Sequence, residues 1–109
     1  MIFAETTEAV LSGRKTVTRR RLTHRDGRPL RYRVGYTYAV QPGRGQRHVA
    51  HVRVRAFSTE PLGHLTEYDA RQEGFASPAE FETTWHRLHG GYDPEEIVAI
   101  IVFSEPERW

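Results

Sequence analysis

Lysine occurs once in this chain, at position 15, although Lys and Arg together number sixteen. Every other strong base is arginine. The difference is chemical. An ammonium group can lose its proton near neutral pH when desolvated or set beside other cations, whereas a guanidinium stays charged. Lys15 follows Arg14 and precedes Arg19, Arg20 and Arg21, a setting that depresses its proton affinity. Thr16 and Thr18 belong to the same segment, Gly13-Arg-Lys-Thr-Val-Thr-Arg-Arg20. A neutral amine beside a threonine hydroxyl can take its proton and leave an alkoxide-like nucleophile. The same residues can equally form an edge strand with solvated cations, and spacing alone leaves both open.

Other constellations carry less. Six histidines and fourteen acids raise the question of a metal. His48 and His51 are three apart and point to opposite faces of a strand. His86 and His89 share a helix face, but no third ligand has a place beside them, and zinc without cysteine normally needs three such ligands. No metal and no cofactor is expected. The segment Pro42 to Arg47 offers backbone N–H groups and the guanidinium groups of Arg44 and Arg47 to a phosphate. As a hairpin turn it needs its glycines for geometry alone. Neither a dinucleotide fingerprint nor a Walker loop occurs.

The elements that must position these residues follow from local signals. Residues 1–3 suit a short strand. Residues 5–12 read as a short helix stopped by Gly13. Residues 14–21 read as a loop running into a strand, and 24–35 as a surface loop ending in a turn at Gly35. Residues 36–41 predict a strand, and 42–45 a turn. Over 48–57, Ala50, Val52, Val54 and Ala56 alternate with His51, Arg53 and Arg55, as in a half-buried strand. Thr66 and Asp69 form a capping-box pair for a helix over 67–73, with Gly74 as its stop. Ser77, Pro78 and Glu80 start a second helix, with Phe81, Trp85 and Leu88 on one apolar face and Gly90-Gly91 beyond. The apolar run 97–103 predicts a core strand. One α+β domain over 1–109 is expected, with strand content fit for a barrel.

Composition sets the outer bounds. At 109 residues the chain is one domain's worth. Aromatic residues make up 11%, too many for a disordered chain. Without cysteine, disulfide scaffolds, thiolate metal sites and thiol catalysis are excluded. No apolar run approaches the ~20 residues of a membrane span. No secretory signal is visible, so a cytoplasmic location is the default expectation. Charge is strongly asymmetric. Residues 1–55 hold thirteen of the sixteen Lys+Arg and three of the fourteen acids, a balance of +10. The remainder, with three cations and eleven acids, stands at −8. Such a split suits an anionic partner such as nucleic acid, or charges that pair across the fold.

The blocks Leu11 to Arg20, then Gly35 and Tyr38 to Gly45, then Leu65 to Phe75, Ser77 to Phe81 and Trp85 together resemble the ASCH domain family, over almost the whole chain. The resemblance implies an α+β fold, a small PUA-like β-barrel with flanking α-helices. It also implies a cleft lined by the Gly-x-Lys-x-x-x-x-Arg segment and facing RNA or a nucleoside. One branch is similar to small bacterial amidohydrolases that remove the acetyl group of N4-acetylcytidine. That likeness implies Lys15 as proton acceptor, Thr18 as nucleophile and Glu73 as proton donor. The chain departs from the branch where Arg19, after the Thr-x-Thr step, is followed by more arginine instead of acid, at the Gln41 to Gly45 loop and at the Glu73-Gly-Phe75 ending. Those departures bear on the substrate more than on the fold. Other family members are RNA binders or ribonucleases, so a non-catalytic RNA-binding module and a ribonuclease stand as alternatives. Arg14, Arg19, Arg20, Tyr38, Arg44 and Arg47 are the candidate substrate- or RNA-binding residues, with Tyr36 and Trp85 as further stacking surfaces.

Glu73 adds a local argument. A carboxylate at a helix C-terminus is mildly unfavourable, because that end prefers cations. Its placement calls for an outside partner such as Lys15, or for protonation. An ion pair would raise the proton affinity of Lys15 and oppose its use as a base.

Overall fold

The computed structural model describes residues 1–3 and 5–108. Helix α1 (Thr7–Leu11) leads into β1 (Val17–Arg21), β2 (Thr37–Val40) and β3 (Ala50–Pro61). A single 3-10 turn (Leu62–His64) precedes α2 (Glu67–Gln72) and α3 (Pro78–His89), and β4 (Ile97–Phe103) and β5 (Glu107–Arg108) follow. All ladders are antiparallel, in the order β1-β4-β3-β2, with β5 joined to β3. The α+β class is as expected. Among the described residues the ladder path is open, ending at β1 and β2, so the sheet does not close into the expected barrel. No helix among the described residues is long and apolar enough to cross a membrane.

The long strand β3 is the organising element. Its first half pairs with β2, Thr37 opposite Arg53, and its second half pairs with β4, Pro61 opposite Ile97. A register shift between Val54 and Ala56 separates the two halves. This bulge explains one departure from the sequence pattern. Ala50, Val52 and Val54 are buried as the alternation predicts, but Ala56, beyond the extra residue, is exposed. The strand then continues to Pro61 through polar residues, because β4 supplies an apolar partner for the ladder.

Strand β4 is buried on both sides. Val98 packs with Leu62, Phe81 and Trp85 beneath α3, whereas Ala99 and Ile101 pack with Val54, and Phe103 with Phe3, Val10, Val40 and Val52. The two helix starts are as read. Thr66 Oγ1 accepts from Asp69 N at 3.1 Å while the Asp69 carboxylate accepts from Thr66 N at 2.9 Å. The Ser77 side chain caps α3 by accepting from Glu80 N at 3.2 Å, and Gly90 ends it in the left-handed region. Leu88 departs from its apolar face. It is exposed, because it borders the cavity described below instead of the core. Residues 1–3 make a single parallel bridge, Ile2 to Gln41, in place of a strand.

Charge pairing across the fold is real but incomplete. Arg19, Arg21 and Lys15 from the basic half meet Glu60, Glu96 and Glu73 from the acidic half. Arg31, Arg33, Arg53 and Arg55 meet no carboxylate among the described residues and lie exposed.

Candidate active site

The segment carrying Lys15 is held between two helices. Lys15 N donates to Ala9 O of α1 at 2.9 Å, and Thr16 N donates to Gln72 O of α2 at 2.9 Å. Gly74 allows this close approach. Its φ is +90°, and a Cβ there would stand 2.9 Å from the Ala9 Cβ and 3.5 Å from the Lys15 Cβ. The end of α2 is thereby pressed against the chain that leads into β1, and Glu73 reaches Lys15.

Lys15 Nζ donates to Glu73 Oε1 at 2.9 Å and to the Glu73 carbonyl oxygen at 2.7 Å. The ammonium group therefore satisfies a carbonyl at the C-terminus of α2 as well as the carboxylate. This supplies the outside partner that the position of Glu73 calls for. Arg19 holds the other carboxylate oxygen, with Nη1 to Glu73 Oε2 at 3.0 Å. Its second nitrogen, Nη2, reaches Glu60 Oε1 at 2.8 Å and lies 3.5 Å from Asp69 Oδ2. Lys15, Thr18, Arg19 and Glu73 are all buried, at 2–6% exposure. Four charged or hydroxylic groups in so dry a place form the strongest polar feature of the molecule.

Two opposing influences act on Lys15. Burial lowers its proton affinity, and the Glu73 carboxylate raises it; burial is the larger, and Arg20 and Arg19 push the same way. The net result is a lysine held below its ordinary value, as a base requires. For Arg19 the balance is reversed. Burial alone lowers its value, but hydrogen bonds and charge from Glu60 and Glu73 together outweigh that and raise it.

Lys15, Thr18, Arg19, Arg20 and Glu73 border one cavity of about 1170 Å³. Arg20 Nε donates to Thr18 Oγ1 at 3.3 Å, and Arg20 Nη2 donates to Ile2 O at 2.8 Å. No hydrogen bond joins Lys15 to Thr18 among the described residues. The second wall is aromatic. Phe75 meets Phe81 edge-on at 5.5 Å, Phe81 lies 5.8 Å from Trp85, and Trp85 lies 4.3 Å from the ring of His89. His89 is held below the ordinary histidine value by burial first and then by Arg21. Trp85 Nε1 and Arg19 Nε are buried donors without an acceptor.

The sequence candidates divide cleanly. Arg44 and Trp85 border the cavity with the residues above. Arg14 lies outside it, its Nε donating to Ser12 Oγ at 3.2 Å, and Arg47 is exposed elsewhere. Tyr38 also lies outside; its ring packs edge-on against Tyr32 at 4.9 Å and its hydroxyl accepts from Arg33 N. Sequence reasoning missed Glu60 and Asp69 as anchors of Arg19, and Tyr32 and His89 as lining residues. Asp69 had a visible local duty as a cap, which hid the second one. For His89 the i, i+4 spacing from Trp85 was the available signal. No group of three or more His, Asp or Glu able to hold a metal occurs among the described residues.

No family model matches the sequence, and neither does any curated protein. Solved structures do match. An ASCH domain from Lactobacillus crispatus superposes with a TM-score of 0.71 at 16% identity, over 90% of this chain and 68% of that one. An ASCH protein from Zymomonas mobilis gives a TM-score of 0.70 at 16% identity, over 99% and 67%. A protein of Enterococcus faecalis assigned to the DUF984 family model gives 0.68 at 19% identity, over 94% and 71%. At these identities the likeness is one of fold.

Proposed function

We propose that this chain, which has the fold of an ASCH domain, is an amidohydrolase that removes the acyl group of an N4-acylated cytidine. The observation that carries the reading is the buried Lys15–Glu73 pair at 2.9 Å on the wall of a cavity that Thr18 also borders. Burial holds resting Lys15 below its ordinary proton affinity, so its amine is freed at a lower pH than that of an exposed lysine.

In the first half-reaction, Thr18 Oγ attacks the acyl carbon and Lys15 Nζ takes the hydroxyl proton. The C–N bond then breaks as Lys15 passes that proton through the Glu73 carboxylate, 2.9 Å away, to the exocyclic nitrogen. Cytidine is released and the acyl group remains as an ester on Thr18. In the second half-reaction, water attacks the ester and gives a proton to Lys15. The Thr18 oxygen leaves and recovers that proton from Lys15, and the carboxylic acid departs. Arg19 is a positioning residue, since both terminal nitrogens are engaged by carboxylates that fix Glu73. Phe75, the partly buried ring of the aromatic wall, offers an apolar contact to the base.

The test is incubation of the pure protein with N4-acetylcytidine while cytidine release is followed. Release that scales with enzyme supports the reading. No release at high enzyme concentration, with Thr18→Ser and wild type alike silent, rejects it.

A second reading, a non-catalytic RNA-binding surface, is favoured by Tyr36. Its ring is 56% exposed, the Arg33 guanidinium lies 5.8 Å from its centroid, and Arg53 donates to the neighbouring Gly35 carbonyl. Stacking of a base with flanking phosphate contacts suits such a surface. Single-stranded RNA binding there is expected to weaken with salt at a log–log slope of about −0.7 per phosphate contacted. A salt-independent affinity, or none at low salt, removes this reading.

A further inference from the structure

The cavity holds a charge imbalance that the amide chemistry leaves unused. Each carboxylate on its wall is already matched. Glu73 holds Lys15 and Arg19, Glu5 holds Arg87 at 2.9 Å, and Asp26 holds Arg28 at 2.6 Å. Arg20, Arg25 and Arg44 border the same cavity and meet no carboxylate among the described residues. Arg25 and Arg44 are exposed, where solvent serves them. Arg20 is different. It is partly buried, its guanidinium carbon 5.0 Å from the Phe3 centroid, with Nε on Thr18 Oγ1 and Nη2 on Ile2 O. Its Nη1 donates to no protein acceptor among the described residues and is left to solvent. A partly desolvated guanidinium without a counter-ion favours the entry of an anion into the cavity it borders.

We infer that Arg20, with Arg44 and Arg25 on the same cavity lining, is a phosphate subsite, so that the site takes a cytosine nucleotide in preference to the bare nucleoside. The inference deepens the amidohydrolase reading and rests on it for the identity of the base. Three guanidinium groups suit the spread charge and several acceptor oxygens of a phosphoryl group, which arginine binds through paired N–H donors. Burial lowers the proton affinity of Arg20, the direction expected of a cation awaiting its partner. The phosphoryl group can come from a mononucleotide or from the RNA backbone; the chemistry at Arg20 is the same.

The test uses products, so no turnover is needed. Binding of cytidine, cytidine 5′-monophosphate and the dinucleotide CpC to the wild-type protein is measured by calorimetry at low salt. The monophosphate is expected to bind on the order of 10-fold or more tightly than cytidine, the gain typical of charge-assisted hydrogen bonds. Arg20→Gln should bring that ratio close to unity, and Arg44→Gln should reduce it in part, while Arg71→Gln, at an exposed residue paired with Glu67 and outside the cavity lining, should leave it unchanged. Arg44→Gln lies on the surface and keeps the test usable if Arg20→Gln does not fold. Arginine-dependent preference for CpC without preference for the monophosphate assigns the phosphate to RNA and supports the subsite. Equal affinity for all three ligands overturns it. Phosphate selectivity without hydrolysis of N4-acetylcytidine would reject the amidohydrolase reading and leave the subsite standing; hydrolysis with no selectivity does the reverse.

Discussion

Lys15→Arg is expected to reduce hydrolysis of N4-acetylcytidine by ~10²–10⁴-fold, the range over which a general base contributes. The substitution preserves positive charge and hydrogen-bond donors but removes any group able to give up its proton near neutral pH. Its extra atoms can extend into the cavity that Lys15 borders. The pH profile separates a base from a mere cation. Burial lowers the Lys15 value from 10.5, more than Glu73 raises it. Free amine therefore grows as pH rises through a value below 10.5, and wild-type activity should climb with pH across that interval. The arginine variant should lose the climbing limb. Thr18→Ala should lose as much or more, whereas Thr18→Ser, which keeps a hydroxyl, should retain part of the activity. Lys15→Arg within about twofold of wild type, with an unchanged pH profile, would show that the lysine is only a structural cation.

Glu73→Ala should be the most destabilising single change in the site. The carboxylate serves two buried cations, Lys15 at 2.9 Å and Arg19 at 3.0 Å. Removing one partner of a buried ion pair leaves an uncompensated charge, at a cost of ~3–5 kcal/mol. Arg19 keeps Glu60, and Lys15 keeps the Glu73 backbone carbonyl, so the loss should not exceed that range. Urea denaturation of wild type, Glu73→Ala and Glu73→Gln measures it. Glu73→Gln keeps the shape and an acceptor oxygen and should cost less, while still slowing departure of the leaving amine. A Glu73→Ala variant within ~1 kcal/mol of wild type would mean that the pair contributes as little as a surface bridge.

Much of this site was legible in the residues, for reasons that differ by element. The starts of α2 and α3 were readable because capping is local; Thr66, Asp69 and Ser77 each act within three residues. The single lysine stood out by type. The run 97–103 was readable as a core strand because a strand covered on both faces needs no alternation. The extension of β3 to Pro61 was not readable, since Ser58, Thr59 and Glu60 owe their strand geometry to pairing with Ile100, Ala99 and Val98. Ladder closure is likewise a non-local property: strand content suggested a barrel, and the register gives an open path. Arg19 and Arg20 looked equivalent as neighbours in sequence. Alternation in β1 sends one to Glu60 and Glu73 and the other to Thr18 and Ile2.

The pairing of Val17 with Val102 has a consequence in time as well as in space. Strand β1 emerges early in synthesis, yet its ladder partner is β4, some eighty positions later. Until β4 is made, Thr18 lacks the ladder opposite Ile101 that fixes its place, and the cavity wall is unfinished. The local helices can form first, but the wall is completed by one of the longest loop closures in the chain, which is the slow kind of step in folding. A nascent chain therefore carries Lys15, Thr18 and Glu73 well before the cavity that they border is assembled, which waits for β4.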